Sequence, residues 1–262
     1  MDDQRLSERQ REILALIRSD GVQQIGALAR RYGLTAQSIR RDINGLCALG
    51  FARRLHGGVG LPVLPQNTSV KARSLLQVEA KRQIAARVAA DIPDGATVFL
   101  GIGTTVYFTA QALQRHRRLR VVTNNLDVAV MLGSVPGLEL HLSGGLWRPN
   151  DHDVVGLEAV RFFEKFRATH AVVGAGALHP TSGVLDFSHD DGHITNAILQ
   201  NAHYRYLAAD ATKWTSAAAV RVAPFEAFSC FVTDRLPDDP AIVAGLGTLR
   251  ILTEDGGLTP PA

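Results

Sequence analysis

Two sets of residues in this chain have the types and spacing to handle anions. The first is built on Gly101-Ile102-Gly103-Thr104-Thr105. Glycines let a backbone approach an anion closely, and two threonine hydroxyls with free N–H groups at a following helix start can cradle a phosphate. Asn124-Asn125, Gly144-Gly145 and Asp210-Ala211-Thr212-Lys213-Trp214 each follow an apolar run in the same manner, and Lys213 adds a cation. Singly each is a weak signal, because strand-to-helix turns use glycine, asparagine and threonine for structural reasons. Their recurrence at what would be one edge of a parallel sheet is stronger, since ligands collect beyond the carboxyl ends of such strands.

The second set lies in Leu34 to Gly50, LTAQSIRRDINGLCALG. Thr35 suits an N-cap, and Ile39, Ile43 and Leu46 recur at spacings of four and three, so one helix face is apolar. The other presents Gln37, Ser38, Arg40 and Arg41, which can hydrogen-bond to base edges or to phosphate, and Gly50 offers a left-handed stop. Alone, the segment fits a solvated basic surface helix equally well. Its neighbours favour a recognition helix: QIGALARRYG supplies a short helix ending at Gly33, and FARRLHGGVG reads as an extended hairpin turning at Gly57-Gly58 and carrying Arg53, Arg54 and His56. A winged helix-turn-helix is the expectation. Its first helix should begin at Ser7, with Gln10 completing a capping box, and run to about Arg18.

Composition agrees with this division. The 262 residues suffice for a sizeable core, and 46% hydrophobic with 20% charged residues is ordinary for a folded, soluble protein. Of the net charge of +3, residues 1–60 contribute +4, from ten arginines, no lysine and six acids. An all-arginine set suits bidentate contacts to guanine and phosphate. Cys47 and Cys230, far apart in sequence, make no disulfide framework, which predicts a reducing cytoplasm. No apolar run of membrane-spanning length occurs, and the N-terminus lacks a signal core.

From Leu76 onward, helical segments alternate with short apolar strands: ATVFLG, LRVVTNN, LELHLSGG, HAVVGAG and YRYLAAD are interleaved with helices, and the strands SCFVTD and LRILTE follow. Such alternation predicts an α/β unit with a mostly parallel sheet covered on both faces. Expected domains are therefore 1–60, a winged helix-turn-helix; 61–75, a linker with two prolines and no clear period; and 76–262, the α/β unit.

Residues 6–60 resemble the DNA-binding domain of the DeoR-type bacterial transcriptional regulators, through Ser38-Ile39-Arg40-Arg41-Asp42-Ile43 and the wing Arg53-Arg54-Leu55-His56-Gly57-Gly58. The resemblance covers nearly the whole chain. It is close to the glycerol-3-phosphate regulon repressor branch at Gly101 to Thr105, Thr123-Asn124-Asn125-Leu126, Ser143-Gly144-Gly145, Val154-Val155-Gly156 and Leu185-Asp186-Phe187. It implies a second domain resembling ribose-5-phosphate isomerase that senses a phosphorylated sugar or polyol, and a chain that binds operator DNA, needs no cofactor and is not an enzyme. By that likeness Thr35, Gln37, Ser38, Arg40, Arg41, Arg53, Arg54 and His56 would face DNA. Gly101, Gly103, Thr104, Thr105, Asn124, Asn125, Gly144, Gly145, Asp186, Asp191 and Lys213 would line the effector site. Where relatives carry a basic residue about four positions after the acidic one, this chain has Thr195.

His189, Asp190, Asp191 and His193 can be read as metal ligands on a helix face, but Gly192 between them and the lack of a third anchored partner favour a polar pocket rim. Trp147-Arg148-Pro149 and residues 150–153 read as a loop over the pocket mouth, a lid or an ordinary surface loop. Phe162, Phe163 and Phe166 have helical spacing and read as core or dimer contacts. One small recognition domain touches few base pairs, so a homodimer or homotetramer is expected. The rival function is a sugar-phosphate isomerase with an attached nucleic-acid module, in which Asp186, Asp191 or Asp210 with Lys213 would move the proton.

Overall fold

A computed structural model describes residues 6–48, 51–55, 57–60, 69–253 and 256–258. The chain divides into two compact units, residues 1–65 and 66–262. No helix among the described residues is long and apolar enough to cross a membrane.

The first unit contains α1 (Glu8–Asp20), β1 (Gln23–Gln24), α2 (Ile25–Tyr32), α3 (Ala36–Ala48), β2 (Arg53–Leu55) and β3 (Gly58–Gly60). Ser7 caps α1 through the capping box with Gln10. Gly33, left-handed at φ 61°, ends α2 by donating to the Ala29 and Arg30 carbonyls and leaves only a tight turn before α3. Ile13, Leu14, Ile17, Leu28, Ile39, Ile43, Leu46 and Val59 close a small core at 1% exposure or less. Its sheet runs in the order β1-β3-β2, all antiparallel, with Gly57 at φ 74° in the β2–β3 turn.

The second unit opens with α4 (Val70–Ser74) and α5 (Val78–Asp91), followed by β4 (Thr97–Leu100), α6 (Thr104–Leu113), β5 (Arg120–Thr123), α7 (Leu126–Leu132) and β6 (Glu139–Leu142). Then come β7 (Leu146–Arg148), β8 (Asp153–Val155), α8 (Leu157–Glu164), β9 (Ala168–Val173), β10 (Ala177–His179), β11 (Gly183–Asp186) and α9 (His189–Gln200). The last elements are β12 (Ala202–Ala208), a 3-10 turn at Ala211–Thr215, β13 (Val220–Ala223), β14 (Cys230–Val232), α10 (Pro240–Leu246), β15 (Arg250–Thr253) and β16 (Gly256–Leu258). The main sheet runs β16-β15-β14-β12-β9-β4-β5-β6 and is parallel except for β16. Each central strand is apolar on consecutive residues, such as Val98-Phe99-Leu100, because α5, α6 and α7 bury one face and α8, α9 and α10 the other.

Three parts differ from the sequence expectation. Residues 70–74, inside the stretch read as linker, form α4, with Val70 buried and its N–H donating to the Asn150 carbonyl at 2.7 Å. Residues 147–153, read as a loop, lie within residues 146–155, which form the antiparallel hairpin β7–β8. A small antiparallel sheet, β10-β11-β13, stands beside the main one. These strands are three or four residues long and broken by turns, too short to show a period.

Candidate functional site

In the first unit, Thr35 accepts from the Ser38 N–H at 3.2 Å, the N-cap contact that starts α3. Ser38 is half-buried, its hydroxyl 3.1 Å from that of Thr35, while Gln37, Arg40 and Arg41 stand exposed on one face. Asp42 between them turns inward, where it is 8% exposed and accepts twice from Arg9, at 2.8 and 3.2 Å, tying α1 to α3. The exposed face that carries Gln37, Arg40 and Arg41 is thereby left without a carboxylate. Arg54 of β2 hydrogen-bonds Asn44, the next residue along that face and one the sequence reading passed over. Backbone pairing places Arg53 opposite Gly60 in the wing. His56 and Gly50 lie outside the described residues.

In the second unit the strand order reverses around β4, whose neighbours are β5 on one side and β9 on the other. Such a switch point opens a crevice at the carboxyl ends of the strands. Gly103, at φ 107°, leads into α6, and a Cβ there would meet nothing within 4 Å. Thr104 and Thr105 form the buried first turn of α6. Gly101 instead lies against Val173 and Ile198.

Lys213 stands in the 3-10 turn after β12, half-buried, its ammonium making no hydrogen bond or ion pair to another described residue. Desolvation holds it below the ordinary lysine value against the opposing pull of Asp210. Asp186 ends β11 and abuts Gly176, where a Cβ would stand 2.8 Å from its Oδ1. Burial, reinforced by the nearby Asp191, pushes its carboxyl up to about 7, although Lys213 and Arg73 face it. Two cations that the sequence reading missed stand in the same field. Arg73 of α4 interacts electrostatically with both Asp186 and Lys213, and Lys81 of α5 with Lys213 and Asp210. Lys81 is 4% exposed, its Nζ donates to the Arg73 and Leu76 carbonyls, each at 2.7 Å, and desolvation lowers it to about 8.

Several of the remaining expected site residues also hold the fold. Asn125 caps α7 by accepting from the Val128 N–H at 3.2 Å. Asn124 donates to the Val154 carbonyl at 2.9 Å, which leaves its buried Oδ1 without a partner, like the hydroxyl of Ser143 at the end of β6. Gly145 is set against the Val155 carbonyl, 2.4 Å from where a Cβ would be, so glycine there admits the hairpin backbone. Gly144 has open space around it. Asp191 accepts from Arg148 at 2.6 Å, and Arg148 also forks onto Asp153 at 2.9 and 2.5 Å. Burial works against the Arg148 charge, but the two carboxylates outweigh it and hold the guanidinium above its usual value. The segment read as a lid or a surface loop is thus tied down through its arginine.

On α9, His189, Asp190 and His193 face solvent while Asp191 and Thr195 turn inward. Among the described residues no three His, Cys, Asp or Glu side chains are grouped to hold a metal ion. Phe163 is in the core, and Phe162 and Phe166 pack against it half-buried.

A winged helix with an outward arginine face, on one chain with a parallel α/β unit whose strand ends gather desolvated cations, is the build of a DNA-binding transcriptional regulator with a sensor domain. Residues 9–63 match the DeoR-like helix-turn-helix domain and residues 76–235 the DeoR C terminal sensor domain. The chain belongs to the DeoR family of transcriptional regulators. It is 35% identical over 229 residues to the HTH-type transcriptional repressor CsqR of Escherichia coli (strain K12), covering 87% of this chain and 88% of that one. To the glycerol-3-phosphate regulon repressor of the same strain it is 32% identical over 231 residues, covering 88% and 92%. Among solved structures it is similar to ribose 5 phosphate isomerase A from Neisseria gonorrhoeae at 18% identity, over 53% of this chain and 55% of that one, with a TM-score of 0.38, a likeness too low to carry chemistry across.

Proposed function

We propose that this regulator is a repressor of carbohydrate or polyol catabolism genes whose operator affinity is set by a phosphorylated sugar or polyol, such as glycerol-3-phosphate. Arg40 and Arg41 with Gln37 and the wing arginines hold the duplex, and Gly103, Thr104, Thr105 and Lys213 hold the phosphate, with Asp186 and Asp191 at the hydroxyls. The observation that carries the reading is Lys213, a desolvated cation with no counter-ion bonded to it at the strand ends where Gly103 leaves open space. The named relatives, both repressors, support it. Thermal unfolding against a panel of phosphorylated sugars and polyols, with their unphosphorylated counterparts, tests it. A ligand at 100 times its dissociation constant stabilises by about 2.7 kcal/mol. The expected result is a shift with one phosphate ester alone; no shift with any ester sinks the reading.

One feature favours the rival enzyme: a carboxyl raised to about 7 at Asp186 is poised for general base catalysis. We assign Asp186 to binding, because it shares its field with cations and its Oδ1 already accepts from the Phe187 N–H at 2.9 Å. Turnover of ribose-5-phosphate by the full chain would reverse that assignment. The chain acts as a homodimer or homotetramer, since paired half-sites need paired recognition helices; sedimentation showing only monomer at micromolar concentration would refute this.

A further inference from the structure

Between β3 of the first unit and α5 of the second, α4 is the one helix among the described residues, and three ties hold it. The Val70 N–H donates to Asn150, the Arg73 guanidinium is paired with Asp151 at the tip of the β7–β8 hairpin, and Lys81 Nζ grips the Arg73 and Leu76 carbonyls. The helix packs against α6, the helix whose first turn is Thr104 and Thr105. Arg73 is only 23% exposed at its side chain, and its buried Nε has no hydrogen-bond partner. A buried donor left unmet destabilises the fold, more so on a charged group, so its retention calls for an acceptor. The acceptor is anionic, because Arg73 shares its surroundings with Lys81 and Lys213. Three cations stand there against three nearby acids, Asp151, Asp186 and Asp210, and burial raises the Asp186 carboxyl to about 7, so that near neutral pH it carries only part of its charge.

We infer that Arg73 binds the effector's phosphate in competition with Asp151, and that the ligand thereby acts on α4, the helix that follows the segment leading from the DNA-binding unit. This rests on the phosphate reading given above. The guanidinium fork suits the exchange: Nη2 faces Asp151 while Nε is unmet, so an incoming phosphate can take Nε first and then draw the rest of the fork from the carboxylate. A phosphate carrying about −1.5 to −2 charges is the stronger acceptor.

The test uses the full chain with glycerol-3-phosphate, inorganic phosphate and glycerol as probes, and the variants Arg73→Met and Asp151→Asn. Arg73→Met should weaken both phosphate probes about 10- to 100-fold, the range of a charge-assisted contact of 1.5–3 kcal/mol. Asp151→Asn should tighten them about 2- to 5-fold by removing the competitor. In the wild type, glycerol-3-phosphate should slow hydrogen exchange at the Leu75 and Leu76 amides that close α4, an effect absent from Arg73→Met. If Arg73–Asp151 is only a brace, both variants break it alike, so equal weakening overturns the inference, as does undiminished binding by Arg73→Met. A wild type indifferent to both phosphate probes overturns the site reading itself, and this inference with it.

Discussion

On α3, Arg40 and Arg41 stand exposed and bond no other described residue, whereas Arg148 of the second unit is enclosed between Asp191 and an Asp153 with no exposed surface. The same side chain serves two ends. An arginine for DNA must remain solvated until the phosphate replaces its water and counter-ions. One that shapes a pocket is desolvated at folding and must then be matched by fixed acids. The only inward acid of α3, Asp42, is accordingly taken by Arg9, which keeps the outer face free of carboxylates.

The comparison breaks most visibly at Arg148. Replacing it with methionine strands Asp153 and Asp191 unpaired, and should destabilise the second unit by about 3–5 kcal/mol in denaturant unfolding. Arg40→Met should move stability by no more than about 0.5 kcal/mol. If both variants unfold alike, the two arginines are not used differently.

Next in size are the contacts to DNA. Alanine at Arg40 or Arg41 should cost about 1–3 kcal/mol of operator binding with relaxed specificity where the arginine reads a base, or lower the salt slope by about one where it holds a phosphate. Titrations on operator and scrambled duplex across salt separate the two roles, and an unchanged affinity and slope removes that arginine from the interface. Thr35→Ala, which deletes the cap of α3, should lower the stability of the first unit by about 1 kcal/mol and leave binding of phosphate esters untouched.

The last effect concerns pH. The Asp186 carboxyl is raised in the folded chain from 3.8 to about 7, chiefly by burial. Its contribution to stability is thus complete below about pH 4 and is lost as pH rises through about 7. Asp186→Asn should flatten stability between those limits; an unaltered pH profile would mean that Asp186 is solvated.

Much of this was legible in the sequence, for reasons that differ by region. Periodicities of three and four place Ile39, Ile43 and Leu46 inward, and consecutive apolar residues announce strands buried on both faces, so α3 and the parallel sheet could be read locally. The Gly103-Thr104-Thr105 turn was visible because glycine and threonine between an apolar strand and a helix mark a strand-to-helix turn. Arg73 was not, since its partner Asp151 lies 78 positions away and no period links them. Arg148 and Asp191, 43 apart, were separately noticed but not joined. The structural duties of Asn124 and Asn125 were not legible, because asparagine serves a cap or a backbone carbonyl with the same atoms it would offer a sugar.

The sheet order also bears on how the chain comes into being. Every contact of the small core lies within residues 6–59, while the centre of the large sheet pairs Val98 with His170, across a segment that includes two further strands of the same sheet. Loop closure over such a span slows folding, and synthesis delivers the N-terminal unit first. A nascent chain therefore completes its winged-helix unit before the parallel sheet can close, and the interval includes the time needed to make β9 and set it against β4.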